Sequence, residues 1–510
     1  MSQKKIVKSI SILMVISLFS RVLGFLRDIL VASAFGANYQ TDAYNVAVAL
    51  PEIVFGIIGL AISTTFIPIL SEIYTKEGKK EMFLFSNNIN NILSIISLFV
   101  FIIGMVFTSS LIKIIAPNFN KETLELTVLL TRISLINILF MTLNACYTAF
   151  LQVMDDFIVP SLLGIFFNLP IIAYIFIFKN YDIIGLTIAT TIGNLLRVLV
   201  QIPSLLKHNY KFHPFYFRIK DRRIIKILYL IIPVVIGAGV NQINLIIDKA
   251  IASGFEQGSI SALNYSSRII LFLNSAISTS IVTVMYPFLS KKYSEKDFTT
   301  FNTYLIKSII YLIMLMAPFT ILLMVFSKPI TIILFKRGEF NDIAVMMTAS
   351  TMLFYSIALP FYAVRDLLNA ALFSIQKTKT TTINGIIGVI INVFLSILLS
   401  KVMGLSGVAL ATSIASIFIC IGLTYSIYIS IYKINLHRMI NCLKHVFIAI
   451  VFMTAFLLLI NNIFVNYTNN FIYLSLVSMF SVMVYLLVFY ITKLEEFNEL
   501  ILMIKKKIKK

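Results

Sequence analysis

The sequence predicts an all-α polytopic membrane protein. About 14 transmembrane helices are expected, as two six-helix lobes in pseudo-two-fold repeat around a central cavity plus two C-terminal helices. Three observations carry that prediction. The 510 residues are 59% hydrophobic but only 13% charged, with a mean hydropathy of +0.95; soluble domains carry about 25% charged residues. Apolar runs of about 20 residues, enough to span a bilayer, recur from end to end. Short stretches of the first half also return in the second at a steady offset. Helices are favoured over a barrel because the runs are continuous rather than alternating every second residue.

The first run, 6–35, follows "MSQKK" and at first resembles a secretory signal, with "ASA" at 32–34 as a cleavage site. Arg21, Arg27 and Asp28 intervene, and that site lies far beyond a normal apolar core, so a retained first helix is expected. Runs at 43–70, 86–110, 123–150, 158–178 and 183–206 complete an N-terminal lobe, 1–206. A basic linker, 207–223, follows. Runs at 224–253, 260–290, 302–326, 343–373, 382–400 and 405–431 form a C-terminal lobe, 224–431. Runs at 445–461 and 470–492, with a basic tail, make up 432–510.

The formal net charge of +20 reads as membrane topology rather than nucleic-acid binding, because the basic residues sit in short loops. Loops on the side of the N-terminus hold "KEGKK" (76–80), the stretch Lys207 to Lys226, "KKYSEK" (291–296), "QKTK" (376–379), Lys433, Arg438, Lys444 and "KKKIKK" (505–510). Opposite loops hold only Lys113, Lys121, Lys179, Lys328, Lys336, Arg337 and Lys401. Both termini are therefore expected in the cytoplasm, in agreement with an even number of spans. Cys146, Cys420 and Cys442 have no paired spacing, and His208, His213, His437 and His445 are dispersed, so neither a disulfide framework nor a zinc pattern appears.

The repeat pairs "GIFFN" (164–168) with "GVIIN" (388–392), "GLTIATTI" (185–192) with "GVALATSI" (407–414), and "FIPILS" (66–71) with "MYPFLS" (285–290). The offset stays near 220 residues, and six spans per copy give both copies one orientation, related by an axis along the membrane normal. Such a pair commonly encloses a site open to alternate sides.

Charges inside these spans are costly, about 2.5–3.5 kcal/mol each, and face a partner or a cavity. Arg21 and Asp28 are seven residues apart on one helix face with Gly24 between them, and Gly24 and Gly36 would permit a bend or an unwound stretch. Asp42, Glu52, Arg132, Arg197, Asp248, Lys249, Arg268 and the pair Arg365-Asp366 lie in or beside other spans. Local pairing accounts for some of them, Arg365 with Asp366 above all. Guanidinium forks also bind carboxylate and phosphate in two-point contacts, so Arg21, Arg27 and Arg268 suggest an anionic substrate, with Asp28 and Asp42 in the same candidate set. Between Lys444 and Lys493 there is no Asp, Glu, Lys or Arg. Asp155-Asp156 reads as a solvated turn.

"SRVLGFLRDILVASAFGANYQTDAYNVAVALP" (20–51), "FIPILSE" (66–72), "NYSSRI" (264–269) and "NGIIGVIINVFLSILLSKVMGLSGVALATSI" (384–414) resemble the MurJ/MviN family of bacterial lipid II flippases, over essentially the whole chain. That resemblance implies two six-helix lobes around a cavity and two last helices lining a groove for a polyprenyl tail. It implies that arginines of helices 1, 2 and 8 hold the diphosphate–sugar head group. Arg21, Arg27 and Arg268 match those of helices 1 and 8, whereas Phe55 stands at the helix 2 position. Leu60, Leu271 and Ser267 replace acids frequent in the family, which leaves the substrate's sugars open. Asp248, Asn392, Val408 and Thr412 fit a sodium site that some members have, with Ser396 in place of an acid.

The resemblance thus implies alternating-access export of a lipid-linked glycan across the bacterial plasma membrane. The membrane potential or coupling to Na+ or H+ would drive it, with no cofactor, no nucleic acid and no bond broken. Membrane lipid and cell-wall synthesis proteins are the expected partners, and a monomer is expected because the cavity lies within one chain. Another polyprenyl-diphosphate glycan is the nearest rival substrate. A cation-drug antiporter would want acids rather than arginines, and a membrane transferase would want a clustered acid pair or histidine on one face.

Overall fold

The structure is a computed structural model that describes residues 3–178, 180–218, 220–431, 436–463, 471–499 and 502. Lys179, Lys433 and the tail 505–510, used above to orient the chain, lie outside the described residues. The described residues are almost entirely helical and contain no strand. Two compact units are present: residues up to Ser261 together with Gly338–Phe340, and Ala262–Arg337 together with Asn341 onward.

The first unit holds α1 (Gln3–Phe35), α2 (Tyr39–Ala61), α3 (Ile67–Glu77), α4 (Lys79–Ile115), α5 (Lys121–Ser134), α6 (Asn137–Val153), α7 (Ile158–Ile177), α8 (Ile183–Leu199), α9 (Ile202–Lys207) and α10 (Arg222–Ala252). The helix α11 (Ser259–Ser294) begins there. The second unit holds α12 (Phe298–Val325), α13 (Ser327–Phe335), α14 (Asp342–Ser356), α15 (Leu359–Ser374), α16 (Thr378–Met403), α17 (Leu405–Ile431), α18 (Leu436–Ile463) and α19 (Phe471–Ile491).

Every expected span has a helix, or a broken pair of helices, in its place. Among the described residues 11 helices are long and apolar enough to cross a membrane, or 12 when α14 and α15, bent by 47° at their junction, are taken as one span. The long helices α1 and α10 occupy the two further expected spans, so the count of about 14 is consistent with the structure. Two breaks have local causes. Pro360 sits in the first turn of α15, where its missing N–H costs no helical bond. Between α2 and α3, Ile62–Phe66 forms a π-helical turn, in which Ser63 and Thr64 hydroxyls donate to the Leu60 carbonyl.

Short polar residues start the helices. Asn38 forms a reciprocal capping box with Thr41. Asn120, Asp182, Asp221, Asp297 and Asn341 each accept a backbone N–H of the first turn that follows. Gly36 ends α1 with φ +69, a left-handed conformation open to glycine at little cost.

Among the described residues, two apolar cores lie in the first unit. One gathers Phe66, Leu70, Met82, Phe85, Phe150 and Tyr210 from α3, α4, α6 and their neighbours. The other gathers Phe35, Ala43, Leu130, Ile171 and Leu186 from α1, α2, α5, α7 and α8. The helix α10, which the repeat places at the head of the C-terminal lobe, packs on α2 and α4. In the second unit α18 and α19 pack on each other and on α12 through Met314, Met453, Tyr485 and Phe489. Tyr485 donates its hydroxyl to the Met314 carbonyl at 3.1 Å.

Candidate substrate site

In the first unit the charged stretch of α1 is built by close packing against α7. The helix runs through Gly24 without an unwound stretch. Gly24 lies against α7. A Cβ there would stand 3.4 Å from the Asn168 side chain, and a Cβ on Gly164 would meet the Ser20 hydroxyl. Ser20 and Gly24 on α1 thus mesh with Gly164 and Asn168 on α7, each pair one helical turn apart.

That approach sets Phe167 of α7 beneath two guanidinium groups. The Arg27 Cζ lies 5.4 Å from the ring centroid, and Cζ of Arg197, from α8, lies 4.0 Å from it. Arg27 is also bonded to Asp28, with Nη2 2.6 Å from Oδ1, and the two side chains are only 15% and 17% exposed. Arg197 donates one long bond to Asn194 Oδ1 at 3.3 Å, and its buried Nε has no hydrogen-bond partner among the described residues. Glu52 of α2 interacts electrostatically with both arginines. Tyr44 bonds Thr190 at 2.8 Å beside them. Arg21 lies half-buried six residues earlier on α1.

Asp42, expected with the substrate-binding residues, is engaged by backbone donors. It is 3% exposed, and its carboxylate accepts from the Gly258 N–H at 2.6 Å, the Ser261 N–H at 2.8 Å and the Ser261 hydroxyl at 2.7 Å. These are the free donors at the start of α11, so Asp42 caps that helix from α2, where a negative charge is favoured. Gly258 has φ +93, and a Cβ on it would meet the Ala37 carbonyl, so the turn is seated directly on the α1–α2 connection. Neighbouring Asn45 donates to Ser261 Oγ at 3.0 Å. The Lys249 ammonium donates to the Asn45 carbonyl at 3.2 Å.

Arg268 lies in the second unit, exposed on α11. Three members of the expected sodium set also lie there and are adjacent. Asn392 Nδ2 donates to Thr412 Oγ1 at 3.0 Å, and Thr412 Oγ1 donates to the Val408 carbonyl at 3.1 Å. Ser396 adds a 3.3 Å bond to Asn392 Oδ1. Their hydroxyl and carbonyl oxygens are the hard donors a small cation takes. Asp248, the fourth member, is half-buried in the first unit. Arg365 and Asp366 form the expected local pair at 3.7 Å. Asp366 also accepts from Asn274 at 3.0 Å and Ser278 at 3.2 Å. Arg132 is exposed on α5. Asp156 is not simply solvated: it accepts from Ser204 and lies 3.4 Å from His208 Nε2, tying the α6–α7 turn to α9.

The second unit also contains a cavity of 1440 Å³ between α12, α15, α17 and α18. Ile313, Phe361, Ile421, Tyr425 and Phe447 are among its walls, with Lys444 at its rim. No α19 residue lines it, so of the last two helices only α18 contributes.

Sequence reasoning did not reach Phe167, seen only as part of a repeat match, or the convergence of Arg197 with Arg27. The available signal was Arg197 itself, a charge in an otherwise apolar run.

The family model "Lipid II flippase MurJ" matches residues 31–481. A probable lipid II flippase MurJ of Buchnera aphidicola subsp. Baizongia pistaciae is 34% identical over 422 residues, covering 81% of each chain. One from Rickettsia prowazekii is 30% identical over 475 residues, covering 92% of this chain and 93% of its own. A solved structure of lipid II flippase MurJ in an inward closed conformation matches with a TM-score of 0.82 at 27% identity, covering 96% of this chain and 99% of its own. An inward-facing multidrug resistance MATE family transporter shares the fold alone, with a TM-score of 0.69 at 15% identity over 83% of this chain and 96% of its own. With its apolar helices and a family match that takes in most of its length, this chain is a multi-pass membrane protein of the lipid II flippase MurJ family.

Proposed function

We propose that this chain moves lipid II from the inner to the outer leaflet of the bacterial plasma membrane by alternating access, as a transporter that breaks no bond. The observation that carries the reading is the family match over 31–481 together with its intramembrane guanidinium groups. Arg21, Arg27 and Arg268 hold the diphosphate, and Asp28 orients Arg27 through its 2.6 Å pair. Arg197 joins them: its guanidinium stacks on Phe167 beside Arg27, and its Nε has no hydrogen-bond partner among the described residues. The apolar cavity beside α18 is of a size and character to take the polyprenyl tail.

Both termini are cytoplasmic in this reading, and an interior-negative potential favours export of an anion, by about 2.3 kcal/mol per charge per 100 mV. Asn392, Val408 and Thr412 offer oxygen donors to a cation, with Asp248 as the acid that the family resemblance adds, so that Na+ or H+ coupling can contribute. The chain works as a monomer, alongside the cell-wall synthesis proteins that make and use its substrate. A second reading has support from particular residues. Phe55 folds along its own helix beside Gly59, and Leu60 and Leu271 are 45% and 48% exposed. Apolar residues at these positions would suit another polyprenyl-diphosphate glycan.

The test expresses the chain in cells depleted of their own lipid II flippase. Lipid II cleaved by an externally added lipid II-degrading enzyme supports the first reading. Absence of cleavage, with the protein in the membrane, favours the second.

A further inference from the structure

Between α9 and α10, residues 211–218 are held as a strap by three asparagines on one face of α4. Asn87 accepts from the His213 N–H and donates to the Lys211 carbonyl, both at 2.9 Å. Asn88 accepts from the Arg218 N–H at 2.8 Å and donates to the Arg218 carbonyl at 3.2 Å. Asn91 donates to the carbonyls of His213 at 2.9 Å and Tyr216 at 3.1 Å. Tyr210 anchors the strap's start, packed edge-on against Phe150 and Phe83. Asn87 and Asn88 are each 1% exposed, so this clamp is part of the fold.

What the strap presents outward is unusual for a loop in water. Phe215 is 88% exposed and held at φ +74, a conformation an aromatic residue rarely adopts. Phe212 and Phe217 are 40% exposed. Lys211, Arg218 and Lys220 stand among them, and segment 211–220 contains no acid. Its depth follows from α4, whose 37 residues extend about 55 Å, beyond a hydrocarbon core of about 30 Å. The uninterrupted apolar part of α4 begins after Asn91, which puts the asparagine clamp at the edge of the bilayer.

We propose that residues 211–218, together with Lys220, form an interfacial anchor that seats on anionic phospholipids. Phe215 enters the boundary between headgroups and acyl chains, and Lys211, Arg218 and Lys220 pair with lipid phosphates. Exposed aromatic and cationic side chains at this depth match that surface, whereas an acidic protein partner would leave Phe215 unexplained.

The protein has no tryptophan, so Phe215→Trp places a sole indole reporter in the full chain. Phe176→Trp, at a 72% exposed position on the spanning helix α7, is the control for reconstitution. Both variants are placed in nanodiscs of phosphatidylcholine, with or without an equal part of phosphatidylglycerol, and emission is compared with and without bromine-labelled acyl chains. The expected result is quenching of the Phe215→Trp variant by about twofold, deeper with phosphatidylglycerol, with weak quenching by aqueous acrylamide. Adding Gln in place of Lys211, Arg218 and Lys220 together removes the dependence on phosphatidylglycerol. If bromine quenches the Phe176→Trp control but not the Phe215→Trp variant, and acrylamide reaches the latter freely, the anchor is overturned and water or a protein partner faces the strap. Quenching of the Phe215→Trp variant that ignores both lipid charge and the triple substitution overturns the recognition of anionic lipid.

Discussion

Replacing Asp42 with Ala removes an acceptor that three buried donors share. The donors are two backbone N–H groups and one hydroxyl, all within 2.8 Å of the carboxylate. The hydroxyl can rotate to another acceptor, but the Gly258 and Ser261 amides cannot. Each amide left without a partner costs about 1–3 kcal/mol, and the favourable charge at a helix start is lost as well, about 0.3–1 kcal/mol. The expected loss of stability is therefore about 3–5 kcal/mol, as for other broken buried charge networks. Asp42→Asn retains one oxygen but turns an NH2 toward the remaining donor, so it should cost about half as much. Cys146 is buried in the same unit and supplies the assay. The purified protein is heated with a thiol-reactive dye, and labelling of Cys146 is read by peptide mass spectrometry. The midpoint should fall by several degrees in Asp42→Ala and by less in Asp42→Asn. A wild-type midpoint in Asp42→Ala would refute the structural role.

Other perturbations follow from single contacts. Gly36→Ala forces a side chain into left-handed backbone and against the Glu339 carbonyl, costing about 1–2 kcal/mol from conformation alone, and the same labelling midpoint should drop. Hydrogen bonds from Arg223 hold the Asp221 carboxyl below its ordinary range. The stability this gives the start of α10 is complete above the unfolded carboxylate value near pH ~4 and fades as pH falls through the lowered folded value. Amide exchange at 222–225 should accelerate only under strong acid, and Arg223→Gln should move that onset to higher pH; an onset unmoved by Arg223→Gln would refute the pairing. Ile421→Trp should intrude on the apolar cavity beside α18 and slow export without loss of membrane protein; undiminished export would speak against the tail lying along that wall. Arg197→Gln should reduce export more than Arg132→Gln, because only Arg197 shares an aromatic ring with Arg27.

The spans are legible because run length is a local property: hydropathy alone gives 405–431, and α17 has the same limits. The breaks are not legible. The residues that mark them, Ser63, Thr64 and Thr65 in the π turn at Ile62–Phe66 and Pro360 after the α14–α15 bend, are too few to interrupt an apolar run, so run length passes over both breaks. The charges stand out in the sequence, but their tasks do not. Arg27 and Arg365 have their partners one residue away, and sequence can anticipate both pairs. Asp42 finds its donors more than 200 positions later, where no spacing rule applies, so its neighbours draw it into the substrate group. The asparagines of α4 likewise give no local sign that they clamp a strap whose basic character alone is evident.

The central claim is that lipid II leaves the inner leaflet on the guanidinium groups of this chain. The most direct measurement is lipid II accessibility to an external degrading enzyme in cells depleted of their own flippase, comparing the native chain with Arg21→Ala, Arg27→Ala and Arg268→Ala at matched membrane levels. Cleavage is expected with the native chain and should be lost in each variant. No cleavage with the native chain present in the membrane, or full cleavage in all three variants, would contradict it.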